Sequence, residues 1–160
     1  MDNILDKEPV KRVQNFLTNF DTKLKILVLN KTAKTAREAA TSLKCEEGAI
    51  VKSLLFKANN FFLICLISGD KRCSLKKLKE FLKEKNISMA NASEVKKITG
   101  FSIGGVAPIA HLTKLDIFID KSLKRYEYVY AAAGHPSCVF NINYNELIKM
   151  TNGSESEISE

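Results

Sequence analysis

The sequence predicts a single mixed α/β domain of the α+β class, and three observations support this class. First, 160 residues are enough for one domain with a sizeable buried core. Second, 45% hydrophobic and 27% charged residues are typical of a globular protein, which excludes disordered, collagen-like and coiled-coil classes. Third, helical and strand patterns mix irregularly and include a hairpin, so regular βαβ winding is not expected.

The first half of the chain predicts two helices and three strands. Apolar residues at helical spacing predict a helix over 10–20. A second helix is expected over 35–43, where Thr35 caps the start and Glu38 completes a capping box. Short apolar runs predict strands at 25–29, 49–56 and 61–67. We expect the first of these to be buried and the last two to form a hairpin around the turn Asn59-Asn60.

The second half predicts three helices, three strands and a tail. The helices are expected at 74–85, from Asn91 or Ser93 to Gly100, and at 143–150. The strands are expected at 116–120, 126–132 and 138–142. Residues 151–160 are acidic and polar, and we expect them to be disordered. The domain organisation is then a helical N-terminal segment over 1–24, the folded domain over 25–150, and the tail.

The charge is basic and concentrated in one stretch. The net charge is +7, and residues 71–85 carry seven basic side chains against two acidic ones. Such a cluster favours a polyanionic partner such as nucleic acid, although a solvated helix face gives the same pattern. The longest apolar run, 61–67, is too short to span a membrane. The polar, acidic first eight residues are unlike a signal peptide, so we expect a cytoplasmic protein with no membrane partner.

The cysteines and histidines do not indicate a metal site. Four cysteines occur without a C-x-x-C pair, and a chain of this size without a signal peptide does not need a disulfide framework. His135 and Cys138 form the one closely spaced His/Cys pair, which is too few ligands for zinc. The same two residues leave open a thiol enzyme in which Cys138 is the nucleophile and His135 the base.

Lys52 is the first candidate for chemistry. Strand alternation places its side chain with those of Ile50, Leu54 and Phe56. An unpaired ammonium among apolar neighbours is costly to bury. Lys52 therefore either extends to solvent at a sheet edge or faces a pocket, where it meets an anion or a carbonyl.

Two segments rich in small residues are the other candidates. Residues 99–108 hold three of the seven glycines and one of the three prolines. Such a loop can present backbone N–H groups to a carbonyl oxygen or a phosphate, but its spacing is neither a P-loop nor G-x-G-x-x-G, and a plain tight turn is the alternative. The run from Ala131 to Pro136 leaves room beside a strand end, with His135 either lining a pocket or lying in a surface turn.

These motifs, taken in order, resemble a known family. The matching pieces are Thr35 with Ala39-Ala40, Ile50-Val51-Lys52-Ser53-Leu54, Ser68-Gly69-Asp70, Thr99-Gly100 with Gly104-Gly105-Val106-x-Pro108, Asp120-x-x-Leu123, and Ala133-Gly134. Their order and spacing resemble the YbaK/EbsC-type aminoacyl-tRNA editing domains, which are similar to the insertion domain of bacterial prolyl-tRNA synthetases. The resemblance covers residues 25–150.

The resemblance implies a fold and an activity. The implied fold is one mixed domain with a mostly antiparallel, barrel-like sheet surrounded by helices. The implied activity is trans-editing, in which a hydrolase deacylates mischarged aminoacyl-tRNA, commonly tRNA-Pro carrying a small wrong amino acid. No metal or organic cofactor is implied. We expect a monomer whose partners are tRNA and, as a further candidate, an aminoacyl-tRNA synthetase.

The resemblance, together with the basic cluster, assigns residues to three roles. The catalytic residues are Lys52, Gly104 and Gly105. The substrate-binding residues are Thr35, Ser53, Val106, Pro108, Gly134 and His135. The tRNA-binding residues are Lys71, Arg72, Lys76, Lys77, Lys79 and Lys83.

Two departures from the family pattern bear on specificity. Gly134-His135-Pro136-Ser137 stands where some branches carry a Gly-Lys-Arg-Gly-like turn, and no carboxylate appears over 138–141. The branch that removes cysteine from tRNA-Pro is therefore not indicated, and alanine, serine and threonine stay open as the amino acid removed. A module of the same fold that binds tRNA or another anion without catalysis is the alternative function.

Overall fold

The computed structural model describes residues 3–30 and 33–160. Its helices are α1 (Glu8–Phe20), α2 (Ala36–Leu43), α3 (Leu75–Leu82), α4 (Ala92–Thr99) and α5 (Tyr144–Thr151). Its strands are β1 (Leu27–Val28), β2 (Ile50–Lys57), β3 (Phe62–Ser68), β4 (Ser88–Met89), β5 (Asp116–Asp120), β6 (Val129–Ala132), β7 (Cys138–Ile142) and β8 (Ser154–Ser156). All five predicted helices and the predicted β2–β3 hairpin are confirmed.

The strands form one mixed sheet. Its order is β1-β7-β6-β2-β3-β5-β8, and β4 pairs with β2 off this path. Four pairs are antiparallel (β1–β7, β2–β3, β2–β4 and β6–β7), and three are parallel (β2–β6, β3–β5 and β5–β8). The mixed α/β class is thus confirmed. The barrel-like closure is not, because among the described residues β1 and β8 end the sheet without pairing with each other.

β3, the second hairpin strand, is buried on both faces, and this explains the continuous apolar run at 61–67. On one face Val51, Leu55, Ile64 and Leu66 join the main core with α1, β6, β7 and α5. On the other face Phe56, Leu63, Cys65 and Ile67 pack with Leu78 of α3. A central strand covered on both faces needs no polar alternation.

Side-chain caps mark the starts of α2, α3, α4 and α5. The Thr35 hydroxyl accepts from the Glu38 N–H at 3.1 Å, as predicted, but the Glu38 carboxylate accepts from the Lys34 N–H and not from that of Thr35. The complete capping box belongs to α4, where Asn91 and Glu94 exchange hydrogen bonds of 2.8 and 3.0 Å. Asn91 is therefore the start of that helix.

The C-terminal residues, expected to be disordered, are instead ordered against the sheet. β8 pairs with β5, and the side chain of Ile158 is fully buried. The Asp120 carboxylate accepts hydrogen bonds from the N–H groups of Ile158 and Ser159 at 2.8 and 3.0 Å. The polar composition is misleading here because the free edge of β5 and a buried carboxylate supply the partners that the segment lacks locally.

The strand predicted over 25–29 is shorter and more exposed than expected. Only Leu27 and Val28 pair, with Val139 and Cys138 of β7. Both side chains are exposed, so the expectation of a buried strand is wrong. β1 lies at the edge of the sheet, where one ladder is enough to hold it.

Candidate active site

The main cleft of the protein lies where β2 lacks a neighbour. β6 pairs with β2 only at Ile50 and Val51, and β4 pairs with it only at Phe56 and Lys57. Residues 52–55, here called the unpaired edge, have no strand partner on that side among the described residues. A cleft of about 430 Å³ opens along this edge.

Three further segments complete the walls of the cleft. One is the start of α2 with the residues before it, over 33–37. The second is the glycine loop, which we define as residues 100–108 and which contributes Ile103, Gly104 and Val106. The third is the turn after β6, which contributes Pro136. The lining is mainly apolar, so a polar group placed there acts in a low local dielectric.

Lys52 borders the cleft and is half-buried. Its ammonium donates a hydrogen bond to the backbone carbonyl of Lys71. Burial lowers the pKa of Lys52, and the carboxylates of Asp70 and Glu47 oppose that shift. The side chain is thus held at the strand edge by a neutral acceptor, with two N–H donors left for another ligand.

Ser53 presents unpartnered polar groups at the same edge. Its hydroxyl oxygen is buried and has no hydrogen-bond partner in the described part of the chain. The carbonyl of Leu55 accepts from the N–H of Ala90 on the β4 side. Because backbone groups alternate sides along an antiparallel strand, the N–H and C=O of Ser53 face the same side and open into the gap.

Gly104 of the glycine loop lines the cleft and lies close to Pro136 of the neighbouring turn. Gly104 has φ +95°, and a side chain there would come within 3.4 Å of Pro136. Gly105 turns away from the cleft. Its N–H donates to the Ser102 carbonyl at 2.9 Å, and its carbonyl accepts from the Gly134 N–H at 3.0 Å.

The structure brings five of the nine predicted catalytic and substrate-binding residues to the cleft. Thr35, Lys52, Ser53, Gly104 and Val106 line it. The other four do not line the cleft; they are Gly105, Pro108, Gly134 and His135. A Cβ on Gly105 would meet the His135 nitrogen at 2.8 Å, so these two loops pack backbone against backbone.

The alternative of a thiol enzyme is not supported, because Cys138 and His135 are not assembled as a nucleophile and base. Cys138 is fully buried, and burial raises the pKa of its thiol. The His135 Nδ1 accepts a hydrogen bond from the Ser137 N–H at 3.0 Å, and burial, with the charge of Lys7, lowers the pKa of the His135 imidazole. Among the described residues, no hydrogen bond joins the Cys138 thiol to the His135 imidazole, so this imidazole is not placed to take up the thiol proton. All four cysteines are free.

The family follows from comparison of the chain with known proteins. Residues 30–150 match the family described as the aminoacyl-tRNA editing domain. The chain belongs to this family. A solved structure, described as that of a candidate trans-editing enzyme for prolyl tRNA synthetase, has a TM-score of 0.91 and 34% identity. The match covers 96% of this chain and 98% of that one.

Two curated relatives differ in how much of their own length the chain covers. The proline–tRNA ligase of Caldicellulosiruptor bescii is 28% identical over 121 residues, which are 75% of this chain and 21% of the ligase. The chain therefore spans about a fifth of that ligase. YwhH of Bacillus subtilis, an uncharacterised protein, is 27% identical over 139 residues, covering 86% of this chain and 88% of that protein.

The basic segment, residues 71–85, places several exposed cations on the editing domain in addition to Lys52. Lys71 supplies the carbonyl that holds the Lys52 ammonium. Lys76 and Lys83 are exposed on or beside α3, while Lys79 is half-buried. Lys77 is also exposed, and its ammonium donates to the Ser159 carbonyl at 2.6 Å. Arg72 is exposed and exchanges backbone hydrogen bonds with Glu160.

Sequence reasoning missed most of the residues that line the cleft of the editing domain, among them two cations and two exposed apolar side chains. Lys34 and Arg37 add two exposed cations at the start of α2. Met89 and Ile103 add apolar side chains that are 59% and 63% exposed. Ile103 lies inside the glycine-rich motif and could have been included. Met89 gave no signal, because β4 is a two-residue strand defined by its pairing with β2.

Two further observations concern metals and membranes. Over residues 3–30 and 33–160, no group of three or more His, Cys, Asp or Glu side chains is placed to hold a metal ion. In the same ranges, no helix combines the length and apolar character needed to cross a bilayer.

Proposed function

We propose that this editing domain acts in trans as a deacylase, hydrolysing the ester that joins a wrong amino acid to the 3′ end of a tRNA. The observation that carries the proposal is the cleft along the unpaired edge, which Lys52, Ser53 and Gly104 all line. The family supports an editing role. The similarity to the candidate trans-editing enzyme, over nearly the full length of both chains, supports action in trans and tRNA-Pro as the tRNA class.

Hydrolysis of this ester depends more on positioning the substrate and stabilising the developing negative charge than on a strong nucleophile. An aminoacyl ester is already activated, so a water molecule can attack its carbonyl carbon. The resulting oxyanion collapses, the ribose oxygen leaves and takes up a proton, and the amino acid departs as a carboxylate. Groups that stabilise the oxyanion before it forms lower the barrier most.

Lys52 and the glycine loop are the groups that fit this task. The two free N–H donors of Lys52 would contact the ester carbonyl or the ribose region of the terminal adenosine. Since the Gly105 N–H already donates to Ser102, the amides of Gly104 and Val106, which make no hydrogen bond to described residues, are the better oxyanion donors. Gly105 then has a supporting role, which is a change from the role that the resemblance implies.

Ser53 and the basic side chains would hold the rest of the substrate. The carbonyl of Ser53, which faces the gap beside the unpaired edge, can accept a hydrogen bond from the α-ammonium group of the amino acid. Lys34 and Arg37 lie at the cleft, where the phosphate of the terminal nucleotide would enter. The basic segment would attract the tRNA backbone without reading its sequence.

A deacylation panel tests the proposal. Purified protein is incubated with tRNA-Pro, tRNA-Ala and tRNA-Thr, each carrying alanine, serine or threonine, and the loss of aminoacyl-tRNA is followed in a single turnover. We expect at least one mischarged tRNA-Pro to be hydrolysed faster than tRNA-Pro carrying proline, which is included as the correctly charged control. Binding of all these tRNAs without hydrolysis of any would instead identify an anion-binding module.

A further inference from the structure

Arg12 of α1 contacts both ends of the glycine loop. Its Nε donates to the carbonyl of Ala110 at 2.8 Å, and its Nη2 donates to the carbonyl of Thr99 at 3.3 Å. Its guanidinium carbon lies 4.6 Å from the ring centroid of Phe101, which is fully buried. One side chain therefore joins the residues that precede and follow the loop.

The backbone at both attachment points is adapted to this contact. Gly100 has φ +82°, and a Cβ there would lie 2.6 Å from the Arg12 Nη2. Ala110 has φ +63°, in the left-handed region that a residue with a Cβ rarely adopts. The hydrogen bond from Arg12 to the Ala110 carbonyl helps to hold this unfavourable conformation.

The same helix supports the second loop of the cleft wall. A Cβ on Gly134 would come within 2.7 Å of the Pro9 carbonyl oxygen, so α1 packs directly against this turn. The Gly134 N–H in turn donates to the Gly105 carbonyl at 3.0 Å. α1 thus contacts both loops whose neighbouring residues, Gly104 and Pro136, line the cleft.

We infer that Arg12 is a positioning residue that holds the glycine loop in the shape needed for deacylation. It lies outside residues 30–150 and does not line the cleft, so it acts through the loop and not on the substrate. This inference rests on the proposed function. Because Arg12 sets the placement of the Gly104 and Val106 amides, its loss affects the catalytic step and leaves tRNA binding unchanged.

A guanidinium suits this role better than an ammonium. Two different nitrogens of a rigid, planar fork reach two carbonyls, while the flat face covers the Phe101 ring. The third nitrogen, Nη1, contacts both carboxylate oxygens of Glu8 at 2.7 Å, which balances the charge on the outer side. Lysine offers one flexible donor group and cannot maintain this arrangement.

The test compares Arg12→Met and Arg12→Lys with Lys11→Met, which removes an exposed cation from the same helix. Single-turnover deacylation is measured well below the melting temperature of each variant, together with the affinity for uncharged tRNA. We expect both Arg12 variants to lower the maximal rate by roughly 10- to 100-fold, with half-saturating substrate concentration and tRNA affinity unchanged within about threefold. Lys11→Met should match the wild type. A folded Arg12 variant with wild-type rate, or one that loses tRNA affinity in proportion to rate, would overturn the inference.

Hydrogen exchange provides a measurement independent of substrate. The amides of Phe101 and Gly105, which donate hydrogen bonds to the Thr99 hydroxyl and the Ser102 carbonyl, should exchange at least about tenfold faster in Arg12→Lys than in the wild type, while those of the β2–β3 hairpin do not change. Unchanged exchange of these two amides would reject Arg12 as the residue that holds the loop. If the wild-type protein hydrolyses no substrate, the proposed function fails, and this measurement still decides whether Arg12 holds the loop. If Arg12→Met does not fold, Arg12→Lys, which keeps the charge, carries both measurements.

Discussion

The position of the Lys52 side chain depends both on its own strand and on a contact with a residue outside that strand. Strand alternation predicts its place among apolar neighbours. Its partner, the carbonyl of Lys71, comes from the turn beyond β3 and could not be read from the strand. This tether fixes the ammonium at the edge of the cleft without neutralising its charge, which is what transition-state stabilisation requires.

Removing Lys52 should therefore abolish most activity. Lys52→Ala should lower the single-turnover deacylation rate by roughly 10²- to 10³-fold, the usual cost of one stabilising donor. Lys52→Arg should fail as well, because a planar fork replaces a compact ammonium. Cys138→Ala should keep the wild-type rate, since burial holds that thiol protonated. An active Lys52→Ala protein, or a folded but inactive Cys138→Ala protein, contradicts this mechanism.

Ser53→Ala should separate stability from function. The buried, unpartnered hydroxyl is unfavourable in the free protein, so its removal should raise the free energy of unfolding by about 1 kcal/mol. Activity should stay near the wild-type level, because alanine keeps the Ser53 carbonyl that faces the gap. Ser122→Ala is the matched control: its hydroxyl is also buried without a partner in the described chain, but it lies outside the cleft. That variant should be stabilised with unchanged activity. Denaturant titration and the deacylation assay measure both effects, and a Ser53→Ala protein that is stabilised but inactive, beside an active Ser122→Ala protein, would show that the hydroxyl itself contacts the substrate.

At the scale of secondary-structure elements, α3 presents one apolar face and one basic face. Leu78 packs into the core beneath the hairpin, and the exposed lysines point away from it. Helical periodicity alone predicts this division. The distinction between a solvated face and a tRNA-binding face needs a measurement of salt dependence.

Neutralising α3 should weaken tRNA binding but not ester hydrolysis. Replacing Lys76, Lys77, Lys79 and Lys83 by glutamine should lower tRNA affinity and flatten its salt dependence, by roughly 0.7–0.9 in the log–log slope for each phosphate that a lysine no longer neutralises. Hydrolysis of a short aminoacyl-ester mimic should be unchanged. The matched control replaces four exposed lysines outside α3 and the cleft, namely Lys11, Lys23, Lys25 and Lys114. Equal losses of affinity in both quadruple variants would show that only net charge matters.

The C-terminal strand illustrates where prediction from sequence stops. Helices and the hairpin follow from local periodicity, and the capping residues follow from short-range spacing. The segment over 154–160 has no such pattern, because its order depends on β5 and on Asp120, which lie more than thirty residues away in the chain. The cleft could not be predicted from local sequence either. It arises from a gap between β6 and β4, and no local pattern in either strand indicates that gap.

Ile158→Ala should accordingly destabilise the whole domain. A fully buried isoleucine truncated to alanine typically costs about 2–5 kcal/mol, and Ile158 packs in the same cluster as Leu78 and Cys65. Truncating an exposed apolar residue, with Leu112→Ala as the control, should cost well under about 1 kcal/mol. Denaturant unfolding measures both. Equal stability of Ile158→Ala and the wild type would restore the interpretation of a disordered tail.

At the scale of the whole molecule, an ion-pair network links the β2–β3 side of the sheet to the segment after β5. Arg125 donates to the Asp70 carboxylate at 2.7 and 3.1 Å, and to the Ser68 hydroxyl at 2.8 Å. The Arg125 hydrogen bond, with that of Ser68, lowers the pKa of Asp70 from its ordinary 3.8 to about 2. The same carboxylate helps to keep Lys52 protonated. Asp70 therefore contributes both to the stability of the fold and to the charge state of Lys52 at the cleft.

This network predicts how stability depends on acid pH. Because the pKa of Asp70 is lower in the folded state than in the unfolded state, its stabilising contribution is fully present above about pH 4 and is lost as the pH falls towards 2. Asp70→Asn should lower the melting temperature at neutral pH, and the two melting curves should converge as the pH approaches 2. The ion pair is partly exposed, with 36% of the Asp70 side chain accessible, so the difference should be small and should shrink further at high salt. Asp116→Asn is the control, since Asp116 is exposed and makes no ion pair with a described residue. A melting-temperature difference between wild type and Asp70→Asn that stays constant from pH 7 to pH 2 would show that Asp70 contributes through its shape and hydrogen bonds and not through its charge.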